Sequence, residues 1–519
     1  MFATFQSGSG RALVIACVLA SAPVAAAPAD RRVVEAAKQH DTAALRGLLQ
    51  KGLGANQPQA DGATALHWAA HWGDAEMAAL LIRAGANVNA TTDLGVTPLL
   101  VACETGDAAI VQTLLRAKAD ATGALPTGQT ALMTCARTGS VVAVKALLAN
   151  GANPNAAEQS AGQTALMWAA GARQSGVVQT LVEAGAVVDS VTRVAPWDVY
   201  TGFRSATAPP RDEAENRFKI QWGGYTPLMF AAQQGDATSA KVLLDAGAKV
   251  NYTTPAGTTP LIVAAHSRHA DVAELLLARG ADSRIDAAGY TALHLAVLRG
   301  LPQLVKSLVT HGADVNARMV RGTPVRKSSQ DYVLAAAWIG ATPYWMASRF
   351  GETDIMRILA TAGADTTVAI EDGTTPVHAA IAAMLSDMGA TDRRERYQAP
   401  PDVAARIPGE DERLTIETLT LALEQHAAEI DDRDFRGNTP LHLAASKGAD
   451  EVVEFLVAHG ATLDLRNKDG ATPLSLTHRP APAAGGGDPT VLQRTQDLLR
   501  KLGAKDEGEQ PKARAAGGR

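Results

Sequence analysis

The tetrapeptide Thr-Pro/Ala-Leu-x, or a close variant, begins at Thr64, Thr97, Thr130, Thr164, Thr226, Thr259, Thr291, Thr342, Thr375, Thr439 and Thr472. The successive spacings are 33, 33, 34, 62, 33, 32, 51, 33, 64 and 33 residues. A motif that returns at a period near 33 constrains the fold more than any other property of the chain. Units of that size cannot bury a core alone and must stack on their neighbours. Each long gap is one period plus an insertion. A chain of 519 residues would otherwise be expected to divide into several globular domains.

Each position of the unit has a structural task, as in Asp61-Gly62-Ala63-Thr64-Ala65-Leu66-His67-Trp68-Ala69-Ala70, then Gly73, Leu80-Leu81 and Gly85-Ala86-Asn87-Val88-Asn89. The threonine hydroxyl caps a first helix, and a proline in its first turn loses no hydrogen bond. Paired small residues such as Ala69 and Ala70, or Ala264 and Ala265, let neighbouring helices approach closely. Leu80 and Leu81, like Leu275 and Leu276, fill the seam between units, each buried side chain contributing on the order of 1.5–3 kcal/mol. The following glycine ends the second helix in the left-handed region, which it enters without steric cost. Lys118 and His426 stand where that glycine is expected, so each is predicted either to carry left-handed strain or to end its helix differently.

On these residues the chain resembles the ankyrin-repeat family over roughly residues 30–504. The resemblance implies an all-α solenoid of about twelve helix-turn-helix units with hairpin-like tips and three insertions. The organisation reads as a signal peptide over 1–26, repeats over 30–193, a tip insertion over 194–222, and repeats over 223–319. A second tip insertion covers 320–338, repeats fill 339–504 around a loop insertion at 384–413, and 505–519 is a disordered tail. The first unit, residues 33–56, lacks the tetrapeptide and reads as an N-terminal cap. The resemblance also implies that His67, His294, His378 and His442, each at the fourth place of the tetrapeptide, tie turn to helix.

Arg11, the apolar run 12–22 and the small residues Val24 to Ala27 form a cleavable secretory signal, with cleavage expected after Ala26. The mature chain is therefore expected in the periplasm or outside the cell. A competing reading takes Val14-Ile15-Ala16-Cys17 as a lipoprotein box that would leave a lipid on Cys17. No later stretch is long and apolar enough for a transmembrane helix. A formal charge of −5, with no basic stripe, argues against a nucleic-acid partner.

No phosphate loop, His-Glu-x-x-His or Gly-x-Ser-x-Gly occurs, so no cofactor, metal or catalytic residue is assigned and the chain reads as a non-enzyme. His67 and His71 have metal-ligand spacing, but the repeat position accounts for His67. After signal removal Cys103 and Cys135 remain. They occupy adjacent small-residue slots of consecutive units, and a typical helix spacing of ~8–10 Å predicts two buried free thiols rather than a disulfide.

Aromatic residues are only 4% of the chain, so their concentration at tips and helix ends is informative. The ankyrin resemblance implies a partner-binding concave face, here carrying Trp72, Arg137, Tyr225, Tyr290, Arg349, Phe350 and Phe435. The first tip insertion adds Trp197, Tyr200, Phe203 and Trp222. The expected function is a monomeric protein-binding scaffold of the cell envelope. A secreted effector acting on another organism's proteins is the alternative, and an enzyme with its site in the insertions a more distant one. The signal, the many units and the aromatic-basic insertions together resemble a group of secreted bacterial ankyrin proteins.

Overall fold

A computed structural model describes residues 30–200, 217–322, 338–384, 410–425, 430–478 and 489–505. The signal segment, Phe203, His426, most of the 384–413 loop and the 506–519 tail lie outside these residues. Helices follow in pairs. The first six pairs are Arg32–Lys38 (α1) with Thr42–Gln50 (α2), Ala65–Trp72 (α3) with Ala75–Arg83 (α4), Pro98–Thr105 (α5) with Ala108–Arg116 (α6), Ala131–Thr138 (α7) with Val141–Ala149 (α8), Ala165–Gly171 (α9) with Ser175–Glu183 (α10), and Pro227–Gln234 (α11) with Ala237–Asp245 (α12). The remaining pairs are Pro260–His266 (α13) with Ala270–Ala278 (α14), Ala292–Leu298 (α15) with Pro302–Thr310 (α16), Pro343–Phe350 (α17) with Thr353–Thr361 (α18), Pro376–Met384 (α19) with Glu410–Gln425 (α20), Pro440–Ser446 (α21) with Asp450–Ala458 (α22), and Pro473–Leu476 (α23) with Pro489–Lys501 (α24). The chain forms two compact units, one of residues 2–197 with 220–280 and the other of 198–219 with 281–519.

The threonine caps explain why the first helices start where they do. Thr97, Thr130 and Thr259 hold extended backbone, and their hydroxyls accept from Leu100, Met133 and Ile262 N–H, each at 3.2 Å. Aspartates do the same for second helices, as where Asp74 accepts from Met77 N–H at 2.8 Å. Within each unit, first helices pack on first helices and second on second, as α3 on α5 and α4 on α6. Of the expected leucine pairs, the second member is fully buried at Leu81 and Leu276, while Leu80 and Leu275 are half-buried.

The tips are narrow hairpins with a fixed neck. Thr92 N–H donates to Val96 O at 3.0 Å and Gly95 N–H to Thr92 O at 2.9 Å. Both tip insertions grow out of this same neck. Thr192 N–H donates to Tyr225 O at 3.0 Å and Gly224 N–H to Thr192 O at 3.2 Å, while Met319 N–H reaches Ala341 O at 2.9 Å and Gly340 N–H reaches Met319 O at 2.6 Å. From the first neck rise two paired strands, Ala195–Tyr200 (β1) and Arg217–Trp222 (β2). The third insertion separates the two helices of one unit, α19 and α20.

One expectation fails. Cys103 and Cys135 are joined by a disulfide, with Cα atoms 4.5 Å apart. The average spacing of packed helices does not apply here, because Ala102 and Ala136, fully buried beside the cysteines, let α5 and α7 close to within bridging distance.

Candidate protein-binding face

The exposed ends of the first helices present the side chains that a partner could meet. In the N-terminal unit this surface starts on an aromatic and cationic group. Trp72, 44% exposed, stacks on His40 with ring centres 5.3 Å apart, and its indole N–H donates to Ala37 O at 3.1 Å. His71 stands edge-on to both Trp72 and Trp68, and Lys38 Nζ lies 5.7 Å from the Trp68 ring centre.

Two repeats further on, Arg137 donates to Glu104 at 2.6 Å and lies over Trp168, 5.8 Å from its ring centre. These three residues form a ledge across α5, α7 and α9. Beyond it, Trp222, Tyr225 and Phe230 make a chain of ring contacts at 6.0 and 6.2 Å, leading from the foot of β2 to helix α11. In the C-terminal unit Phe350 meets Trp338 edge-on at 5.6 Å, and Arg349 lies 5.7 Å from the Trp338 ring centre. Phe435 is 45% exposed at its tip, with Arg436 5.4 Å from its ring centre.

Tyr290 departs from the expectation. It is 7% exposed, and burial pushes its hydroxyl up to about 12. It directly precedes capping Thr291 and is buried in its unit, so its ring is core rather than an accessible anchor. Tyr225 holds the same register but is half-buried, opening toward Trp222. The backbone of Trp197 and Tyr200 lies in β1. Sequence reading missed Trp168, Phe230 and Trp338. The first two share one repeat register with Trp68, each four residues after its capping threonine, and that periodicity is a signal that could have found them.

The repeat histidines have a different job. His67 Nδ1 accepts from Thr64 N–H at 3.1 Å, which leaves the ring proton on Nε2, and Nε2 donates to Val96 O of the next unit at 2.9 Å. His442 repeats this with Thr439 N–H and Ala471 O, both at 3.1 Å. The imidazole therefore ties turn to helix and also unit to unit. Burial pulls each ring below the ordinary histidine value, in His294 down to about 4. Among the described residues, no group of three or more His, Cys, Asp or Glu is placed to hold a metal ion.

Each compact unit is thus a stack of helix pairs with hairpin tips, carrying aromatic and ion-paired side chains at its first-helix ends. The chain belongs to the ankyrin-repeat family: models described as "Ankyrin repeats (3 copies)" match residues 33–124, 116–192 and 228–319, and "Ankyrin repeats (many copies)" matches 423–476. It is 33% identical over 98 residues to ankyrin repeat and SOCS box protein 6 of Mus musculus, covering 19% of this chain and 16% of that protein. It is 37% identical over 87 residues to ankyrin repeat domain-containing protein 13C-A of Xenopus laevis, covering 17% and 15%. Its match to neurogenic locus notch homolog protein 1 of Mus musculus is 30% identical over 147 residues, covering 26% of this chain and 6% of that protein. The chain thus spans a small part of these relatives' lengths. A crystal structure of the human ASB11 ankyrin repeat domain aligns with 48% of this chain and 98% of its own, at 27% identity and a TM-score of 0.39. Ankyrin stacks generally serve as protein-interaction scaffolds rather than catalysts. Among the described residues no helix is long and apolar enough to cross a membrane.

Proposed function

We propose that this ankyrin protein is a monomeric, non-catalytic scaffold exported to a bacterial cell envelope, where it binds a protein partner through its first-helix ends and its two tip insertions. The observation that carries the reading is the placement of the rare aromatic residues. Trp72, Trp222, Tyr225, Phe350 and Phe435 stand at helix ends and tips beside cations or other rings, a chemistry that anchors protein interfaces. Export is supported by Arg11, the apolar run of residues 12–22 and the small residues that follow it.

The test is partner capture from an envelope extract of the source cell, comparing the mature chain with a Trp197→Ala, Tyr200→Ala, Phe203→Ala variant. The expected result is weakened capture, ~2 kcal/mol or more for a true anchor, with an unchanged melting curve. Capture at wild-type strength moves the site away from this insertion. Equal loss of stability makes the insertion a structural cover. Fractionation separates the two destinations, because a released effector accumulates in the culture medium while an envelope scaffold stays with the cell.

A further inference from the structure

We propose that the Cys103–Cys135 bond is made in an oxidising compartment as the chain folds, and that it holds the third and fourth repeats at the spacing required by the Glu104–Arg137–Trp168 ledge. The proposal rests on the export reading above for its compartment and on the fold for everything else. Removing residues 1–26 removes Cys17, so the two cysteines have no competing partner in the mature sequence. Their Cα separation of 4.5 Å lies within the range of bridged pairs. Both side chains are fully buried. The bond must therefore close before or during packing, and once closed it is reached by a reductant only after local opening.

Position gives the bond its second role. Cys103 directly precedes Glu104, and Cys135 lies two residues before Arg137. Thr138 Oγ1 is 3.1 Å from the carbonyl oxygens of both Cys103 and Cys135, joining the same two helix ends. The covalent link thus lies in the floor beneath the 2.6 Å Arg137–Glu104 pair and the Arg137–Trp168 contact. No other adjacent first helices among the described residues are joined this way.

The chemistry balances through a thiol-exchange oxidant, a protein carrying its own reactive disulfide. One cysteine loses its proton and its thiolate attacks that disulfide, giving a mixed disulfide and one thiolate on the oxidant. The thiolate of the second cysteine then displaces the oxidant's remaining sulfur. The chain gains one S–S bond, and the oxidant leaves as a dithiol holding two electrons and two protons.

The test expresses the full chain and, separately, a chain starting at residue 27 that stays in the reducing cytosol. Each is quenched with an alkylating agent in denaturant and mapped by mass spectrometry without reduction. The full chain is expected to yield a crosslinked 103–135 peptide pair, and the retained chain two alkylated cysteines. Two alkylated cysteines in a chain shown to have been exported overturn the proposal. If the full chain is not exported, the export reading fails by itself, and the bond is then judged by refolding the retained chain in a glutathione redox buffer, where failure to crosslink overturns it. For the positioning role, a Cys103→Ala, Cys135→Ala variant places alanine in slots where repeats such as those starting at Thr64, Thr164, Thr226 and Thr259 already carry it. Amide exchange in α5 and α7 should quicken ~tenfold or more while distant repeats stay unchanged. Unchanged exchange in α5 and α7 overturns that role.

Discussion

Among the described residues four non-glycine residues hold positive φ, and all are basic: His40 at 57°, Lys118 at 69°, Arg173 at 60° and Arg268 at 65°. Lys118 was legible in the sequence because it interrupts a run of glycines after the second helices, among them Gly85 at 79° and Gly247 at 88°. The others were harder to read. They fall in the short turn between paired helices, where Gly73 and Gly106 show the same conformation but the repeat signature is weak. Lys118→Gly removes a Cβ penalty of roughly 1 kcal/mol, partly offset by a looser unfolded chain, and should stabilise by a few tenths to about 1 kcal/mol in denaturant melts. Clear destabilisation would mean that the lysine side chain contributes a contact worth more than the strain. The histidines set a second prediction. His294 is held down to about 4 when folded and returns to about 6.5 when unfolded, so between those values the unfolded chain binds more protons. Stability should be flat above pH 7 and fall as pH drops from about 6.5, with His67, His378 and His442 acting in the same direction. Urea melts at pH 7.5, 6.0 and 5.0 check this in a window where few carboxylates titrate, and equal midpoints would contradict it.

At the scale of helices and hairpins, stability resides in seams. Leu276 is fully buried in α14, which packs against α12. Leu276→Ala should therefore cost about 2–5 kcal/mol, with no change in the far-ultraviolet spectrum beyond the lowered melting midpoint. A loss below about half a kcal/mol would show the seam to be filled by other side chains. The hairpin necks give the converse expectation. Replacing residues 193–223 by a two-residue tip such as Asp93-Leu94 leaves the Thr192–Tyr225 and Thr192–Gly224 bonds available. The shortened chain should melt within about 1 kcal/mol of the parent, since the neck that closes the insertion is retained and its described strands pair with each other rather than with a helix seam. A large loss would place the insertion in the core. Helix starts and second-helix ends were legible in the sequence, because each is fixed by a cap or a glycine. The Cys103–Cys135 bond was not, because the distance between two particular slots depends on their small neighbours rather than on the mean spacing of helices. Tyr290 was misread for a related reason: the residue before the capping threonine belongs to tip or core according to its own unit, and the period alone does not distinguish them.

At the scale of the whole molecule, interactions among the described residues are organised between neighbouring repeats. His67 reaches the carbonyl of the next repeat, the Arg137–Glu104 pair joins adjacent repeats, and Arg193 N–H donates to Ala161 O of the preceding tip at 2.6 Å. Stability in such an array is close to a sum of unit and interface contributions, so substitutions several repeats apart should add. The aromatic positions were legible as a composition anomaly. Their pairing into Arg137–Trp168, Trp222–Tyr225–Phe230 and Phe350–Trp338 was not, because each pairing depends on which residue the adjacent repeat or insertion supplies. The neck of the tip hairpin has a further consequence. The same pair of backbone bonds closes whether two residues or a long excursion stands between them, so heritable variation in the excursion is insulated from the folding problem already solved by the stack. A lineage carrying this chain can edit the excursion alone, while the rest of its sequence continues to encode an unchanged scaffold.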